Sequence, residues 1–463
     1  MVMLRTWIEP VVAGVQIASS FYDTGLLMTV KNYYNQTIRP SNSSSDDELQ
    51  KAISNFYIIY NVVMGLTPLL SAYILAKISE KTSIKVTICV PLMGYLISRM
   101  FLLFVILLDW PIEVIFGSAA FNGLTGWFTT YWAGVTAWTS MGSSESKRSL
   151  KLFIIELVYG LAGFAGSLVS GYIFVHLNIN QHQGTILASC STGCYAFCVL
   201  YSIFILKMPD AEEWNAEGNS TEALHESINS DYTEQSRLLG DTPSDNTHKN
   251  PTDVSFSKCV IKCMFVSAIV YNIAVTATDD VINVFVLKEP LSWGPVEVGY
   301  GNAVAYMTYI TSFFGVYIFS KCFGDLGLII IGMISFSCGI LIMAFVRWTY
   351  LYYIARAVML FSLITTPTIR SMISKHVKGS SYGKVFVVLQ MAIEVISVSS
   401  SAGFNKLYQA TLDWYSGFCF FVFSALGFLS IIPVIITVCK QRHTSTTQEN
   451  VSNERTSKTT AQT

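Results

Sequence analysis

Residues 152–174 read LFIIELVYGLAGFAGSLVSGYIF, a run broken by a single charge at Glu156. A helix needs roughly twenty mainly apolar residues to cross bilayer hydrocarbon, so this stretch reads as a membrane span. Run length and polar punctuation place five companions at about 7–30, 53–76, 86–108, 112–139 and 185–206. Six more follow at about 259–287, 297–319, 328–346, 351–373, 385–407 and 416–439. The composition agrees: 52% of the 463 residues are hydrophobic and 13% charged, about half the charged fraction of a soluble domain. A single soluble globule is excluded.

The expected fold is all-α, twelve transmembrane helices arranged as six plus six, the major-facilitator architecture with its substrate site near the midplane. The expected units are an N-terminal bundle at 1–206, a linker at 207–258, a C-terminal bundle at 259–439 and a tail at 440–463. Linker and tail are polar and Ser- or Thr-rich, too poor in apolar residues to fold alone, and read as disordered. The first run is too long for a secretory h-region and is expected to remain as the first helix. A net charge of −1 gives no basic field for nucleic acid, which is not an expected partner.

Lys77, Lys81, Lys85, Lys147, Arg148, Lys151, Lys321, Lys375, Lys378 and Lys384 all fall on one side of this topology. By the positive-inside rule that side is the cytoplasm, and both termini lie there. The first loop on the opposite side carries sequons at Asn35 and Asn42, which need a lumenal or extracellular face. Sequons at Asn219 and Asn450 fall on the cytoplasmic side and read as chance matches. Most cysteines lie within apolar runs or near cytoplasmic ends, which argues against an exterior disulfide. Cys190, Cys194 and Cys198 share a helix face, but soft apolar packing explains them better than a metal, and no metal site is expected.

A charge at the bilayer centre costs roughly 2.5–3.5 kcal/mol on the insertion scale, so one placed there should face a cavity or a partner. Glu156 is the first candidate for proton coupling, since burial favours the neutral form of a carboxyl group; its plainer reading is a structural hydrogen bond. Asp279 and Asp280 are the second: two adjacent carboxylates cannot both ionise cheaply, unless they lie near the exterior end and are solvated. Arg370 offers a guanidinium fork for an anionic substrate, or else snorkels to the cytoplasmic interface. Pro367 before it predicts a kink. Asp23, Arg356 and Glu394 are further substrate-binding candidates, and Arg99 is also intramembrane; structural ion pairs are their plainer explanation. The small residues from Gly160 to Gly171 permit close helix packing and a surface on which helices rock.

WIEPVV (7–12), YDTGLL (22–27), AISNFYIIYN (52–61), LDWP (108–111), IARAVMLF (354–361) and KGSSYGKVFVVLQ (378–390) resemble solute carrier family 46, the proton-coupled folate transporter family. Gly299–Gly301, Ile369–Lys375 and Phe404–Thr411 extend the resemblance over nearly the whole chain. It implies proton coupling at Glu156, substrate or coupling work at Arg370, and anionic cargoes: folates and antifolates, muropeptides and cyclic dinucleotides. Val275 and Trp127 replace a histidine and an acidic residue of the folate-carrying member, which speaks against folate as main cargo. Ser83 and Ile84 replace glycine and arginine of the superfamily loop motif, and Ser292 replaces a disulfide cysteine.

The expected function is proton-coupled import of an organic anion, muropeptide-like first, with protons as co-transported ion and no cofactor. The expected residence is the plasma membrane, with endosomes also open. The rival is a receptor or scaffold that transports nothing; an enzyme is disfavoured because HExxH and GxSxG are absent. The topology makes a direct prediction. Replacing Asn35 and Asn42 by Gln should abolish the glycosidase-sensitive mobility shift of the expressed protein, while Asn219→Gln and Asn450→Gln should leave it intact.

Overall fold

The computed structural model describes residues 7–38, 46–141, 145–177, 184–206, 251–319, 322–376 and 382–441. Among them run twelve helical rods. In the first half these are α1 (Glu9–Ile38), α2 (Asp46–Lys81), α3 (Val86–Leu107), α4 (Val114–Leu124 with Trp127–Met141), α5 (Glu145–His176) and α6 (Thr185–Leu200, ending in a π turn at Tyr201–Ile205). The second half has α7 (Pro251–Phe285), α8 (Pro295–Phe319), α9 (Asp325–Met343), α10 (Thr349–His376), α11 (Tyr382–Thr411) and α12 (Phe418–Leu429, continuing over 431–441). Nine are long and apolar enough to cross a membrane. Helices suit that setting because every backbone polar group is satisfied within the segment.

Two rods are interrupted for local reasons. At the break in α4, Gly126 has φ +99° and Trp127 φ +44°, conformations that favour glycine and strain a tryptophan. In α10 the chain tightens to a 3-10 turn at Met359–Ile364, just ahead of Pro367, whose ring nitrogen has no proton to donate to the preceding turn. The irregular turn thus lies just before Pro367, where the sequence predicts a kink. α7 begins at Pro251, inside the stretch expected to be linker; proline suits the first helical turn, where the amide proton has no intrahelical acceptor. Asn42 and the remainder of the expected linker and tail lie outside the described residues.

Within the first half α1 packs on α5 and α6, and within the second α7 packs on α11 and α12. The halves meet along two seams, α5 with α8 and α2 with α11. Glycine makes the first seam close: a Cβ at Gly163 would stand 2.6 Å from the Tyr306 ring, and one at Gly299 would stand 2.6 Å from Ser167 O. In the second, a Cβ at Gly65 would meet Val398 at 2.1 Å. The Gly160–Gly171 stripe is thus a packing surface, as expected: Gly160, Gly163 and Gly171 face the second half, and Gly166 faces Ile17 and Ser20 of α1.

The apolar core is not symmetric from end to end. One buried cluster joins Phe21, Leu26 and Phe56 of the first half, toward the end that carries Asn35, to Phe285 and Trp293 of the second, and within the second half it runs on to Val260 and Ile373 at the lysine-rich end. Toward the lysine-rich end a separate cluster, with Val11, Tyr95, Tyr131 and Tyr195, belongs to the first half alone. The halves share their core at the Asn35 end. At Gly171 an added Cβ would stand 2.2 Å from Pro295 O and 2.7 Å from Val296 Cα, both backbone atoms. Gly171→Val should therefore destabilise the purified protein by about 1–3 kcal/mol, the usual range for overpacking, measured as a lowered unfolding temperature in detergent.

Candidate transport site

Midway along the rods a cavity of about 260 Å³ lies between the halves. α1 contributes Ser20, Asp23 and Leu27, which recur at helical spacing on one face. α2 adds Tyr57, Tyr60 and Asn61, and α5 adds Ser167. From the second half come Asp279, Asp280 and Asn283 of α7, Asn302 and Tyr306 of α8, and Arg356 of α10. Three carboxylates and one guanidinium thus meet in one small polar space.

A second guanidinium lies behind Asp23. Arg99 of α3 is buried, its Cζ 3.7 Å from the Tyr22 ring centre and 5.0 and 5.1 Å from those of Tyr95 and Tyr195. Its Nη1 donates to Ser98 Oγ (3.4 Å), its Nε has no hydrogen-bond partner, and its charge acts on Asp23. Arg356 is buried likewise; its Nε donates to the Tyr352 hydroxyl (3.0 Å), and it acts electrostatically on Asp279. Each arginine follows a tyrosine one helical turn earlier, a spacing that brings guanidinium and ring together.

The remaining carboxylate is Asp280. Its Oδ1 accepts from Asn61 Nδ2 across the halves (3.0 Å), while its Oδ2 has no hydrogen-bond partner. With three carboxylates and two guanidiniums in the cluster, Asp280 is the acid that faces only neutral groups and its neighbour Asp279.

Four residues expected from sequence to do transport work, Asp23, Asp279, Asp280 and Arg356, therefore share one cavity, and the aspartate pair lies centrally rather than at the exterior end. Glu156 and Arg370 do not line it. They stand exposed on α5 and α10, on opposite halves toward the lysine-rich end, where the charge of Arg370 acts on Glu156. Between them and the cavity lies a ring cluster in which Tyr159 sits 6.2 Å from Tyr306 and 5.3 Å from Tyr309, centre to centre. The Glu394 side chain lies outside the described residues. Sequence reasoning passed over Tyr57, Asn61, Asn283, Asn302 and Tyr306; polar side chains at helical spacing within apolar runs were the available signal.

Solute carrier family 46 member 2 of Canis lupus familiaris is 47% identical to this chain over 457 residues, covering 95% of this chain and 94% of the relative. The chain belongs to solute carrier family 46. The thymic stromal cotransporter is this member 2, whose Mus musculus form is also 47% identical, over 95% of this chain and 93% of its own. A lysosomal proton-coupled steroid conjugate and bile acid symporter of Gallus gallus is 27% identical, covering 88% of this chain and 87% of that protein. No protein-family model matches the chain.

Among solved structures, a D-xylose–proton symporter matches with TM-score 0.63 at 12% identity, over 92% of this chain and 96% of that one. The nucleoside transporter NupG matches with TM-score 0.59 at 11% identity, over 94% and 98%. These likenesses show the major-facilitator fold. The family member described here is thus a multi-pass membrane transporter, and its relatives are carriers rather than enzymes.

The electrostatic coupling of Asp23 to Arg99 is testable by a double-mutant cycle. Arg99→Met should lower the unfolding temperature more in the native background than in Asp23→Asn, with a coupling of about 1–3 kcal/mol.

Proposed function

We propose that this carrier imports an organic anion together with protons, by alternating access about the central cavity. The observation that carries the reading is the charge arrangement: Arg356, a fork for a carboxylate or phosphate, shares the cavity with Asp279 and the uncompensated Asp280. An anion entering beside three ionised carboxylates is repelled. A proton on Asp280 relieves the excess charge, and a proton on Asp279 leaves Arg356 to the cargo, so solute entry is coupled to proton uptake. The name of the proton-coupled relative supports the coupling.

With the lysine-rich end in the cytoplasm, the state described here is closed to the exterior, and the Tyr159–Tyr306–Tyr309 cluster is the barrier on the cytoplasmic side. Glu156 and Arg370 stand beyond it. Glu156 takes the proton on its way to the cytoplasm, and Arg370 offers the departing anion a second positive contact. In this orientation both termini are cytoplasmic and Asn35 and Asn42 are glycosylation sites. The membrane of residence is the plasma membrane, with endosomes sharing the same topology.

The cargo is muropeptide-like; cyclic dinucleotides and antifolates are the competitors to set against it. The acceptor-rich wall of Asn61, Asn283 and Asn302 suits a solute with many amide and hydroxyl groups.

Purified protein in proteoliposomes should accumulate a radiolabelled muramyl peptide faster when the outside is made acidic. No uptake of any anion in the panel would favour the receptor or scaffold reading. Asp280→Asn should abolish the acceleration by pH while sparing counterflow exchange, and Glu156→Gln should likewise flatten the pH dependence. Arg356→Lys should reduce uptake at least about tenfold, because an ammonium lacks the planar fork.

A further inference from the structure

α1 and α7 occupy corresponding places in the two halves, and their sequences repeat a spacing. Asp23 precedes Lys31 by eight residues, in YDTGLLMTVK (22–31), and Asp280 precedes Lys288 by eight, in DDVINVFVLK (279–288). Eight helical residues span about 12 Å, so each lysine stands well above a cavity carboxylate, at the Asn35 end. Both lysines reach into the opposite half. Lys31 Nζ donates to Trp293 O (3.0 Å), in the loop between α7 and α8. Lys288 Nζ pairs with Asp47 Oδ1 at the start of α2 (2.5 Å) and also donates to Leu412 O (3.1 Å).

We propose that Lys31 and Lys288 form a reciprocal latch that holds the Asn35 end shut and is released through the cavity. The inference rests on the alternating-access reading only for its role in transport; closure itself is visible in the contacts. The Lys288 side chain is 12% exposed and Asp47 29%, against 41% and 65% for the rim pair Lys51–Asp413, so the Lys288 pair is much less screened by water. Gln50, buried beside it, satisfies both ends of its amide when its nitrogen faces Val284 O (3.2 Å) and its oxygen faces Lys288 N (3.1 Å).

Each arm is tied to a group that cargo or proton would disturb. Trp293 is buried, its Nε1 donates to Thr349 Oγ1 (3.1 Å), and its ring lies 4.6 Å from that of Tyr352. The Tyr352 hydroxyl accepts from Arg356, the cavity guanidinium. The Lys31 arm therefore runs through Trp293 and Tyr352 to the anion-binding fork. The Lys288 arm runs down α7 to Asp280, which itself bonds across the halves to Asn61. A shift of Arg356 toward a bound anion draws on one arm, and a rearrangement of the Asp280–Asn61 contact draws on the other.

Hydrogen–deuterium exchange of the cargo-free protein in lipid nanodiscs tests the latch without knowing the cargo. In the Lys31→Gln/Lys288→Gln double variant, exchange should rise several-fold in segments 24–34, 47–56 and 282–294. It should fall in 145–158 and 365–376, at the opposite end. Conversion of both lysines to Arg should keep the native pattern, as should Lys51→Gln on the exposed rim. The swap Lys288→Asp/Asp47→Lys should restore the pattern that Lys288→Gln alone disturbs. Unchanged exchange in the double variant, a rise at both ends, or an equal response to Lys51→Gln would each overturn the proposal. Failure to transport any anion, with the exchange pattern as expected, would remove the transport reading and leave the latch standing.

Discussion

Charge held inside hydrocarbon is the constraint from which the rest of this structure follows. Ionisable side chains near the bilayer centre would each cost several kcal/mol if charged and exposed to lipid, and here Asp23, Asp279, Asp280 and Arg356 converge on one polar space with Arg99 behind them. The two arginines are housed alike, each beside a tyrosine from the preceding helical turn and within reach of a carboxylate on a neighbouring helix. The tyrosines serve both needs of the site: their faces cradle cations and their bodies pack against apolar neighbours. Most of the polar cavity lining thereby lies at the boundary between halves, with Arg99 held just behind it in the first.

Alternating access as proposed above requires that boundary to move, and its chemistry fits motion between two packed arrangements. The α5–α8 seam is built from glycine against tyrosine and backbone, with few charged contacts to break. The Asn35 end is different: its cross-half contacts include ion pairs and amide bonds such as Gln409 Nε2 to Asn55 Oδ1 (2.9 Å) and Lys406 Nζ to the same oxygen (3.0 Å). Smooth glycine seams supply a bearing and the polar contacts supply discrete positions, which is the division expected for rigid-body rocking of one bundle against the other.

Much of this was legible in the chain because membranes simplify the code. Twelve apolar runs give twelve rods, since the bilayer admits no alternative to a helix in each, and ionisable residues inside them stand out because they are expensive. Asp23, Asp279, Asp280 and Arg356 were visible for that reason. Their meeting in one cavity was not, because rotation of a helix about its axis depends on packing that a one-dimensional pattern only partly fixes. Glu156 illustrates the limit: family resemblance and intramembrane position both pointed to the centre, yet α5 places it beyond the Tyr159 ring, opposite Arg370. The neutral partners were harder still. Asn61 and Tyr306 carry no charge to betray them, and only the fold shows that they face Asp280 and the cavity.

The unequal division of the apolar core has an energetic meaning. Opening the Asn35 end wets Phe21, Leu26, Phe56 and their counterparts on α7, whereas opening the other end leaves the cluster around Tyr95 and Tyr131 undisturbed within its own bundle. On the alternating-access reading proposed above, the Asn35 end is therefore the costlier of the two to open, because its opening returns shared apolar surface to water.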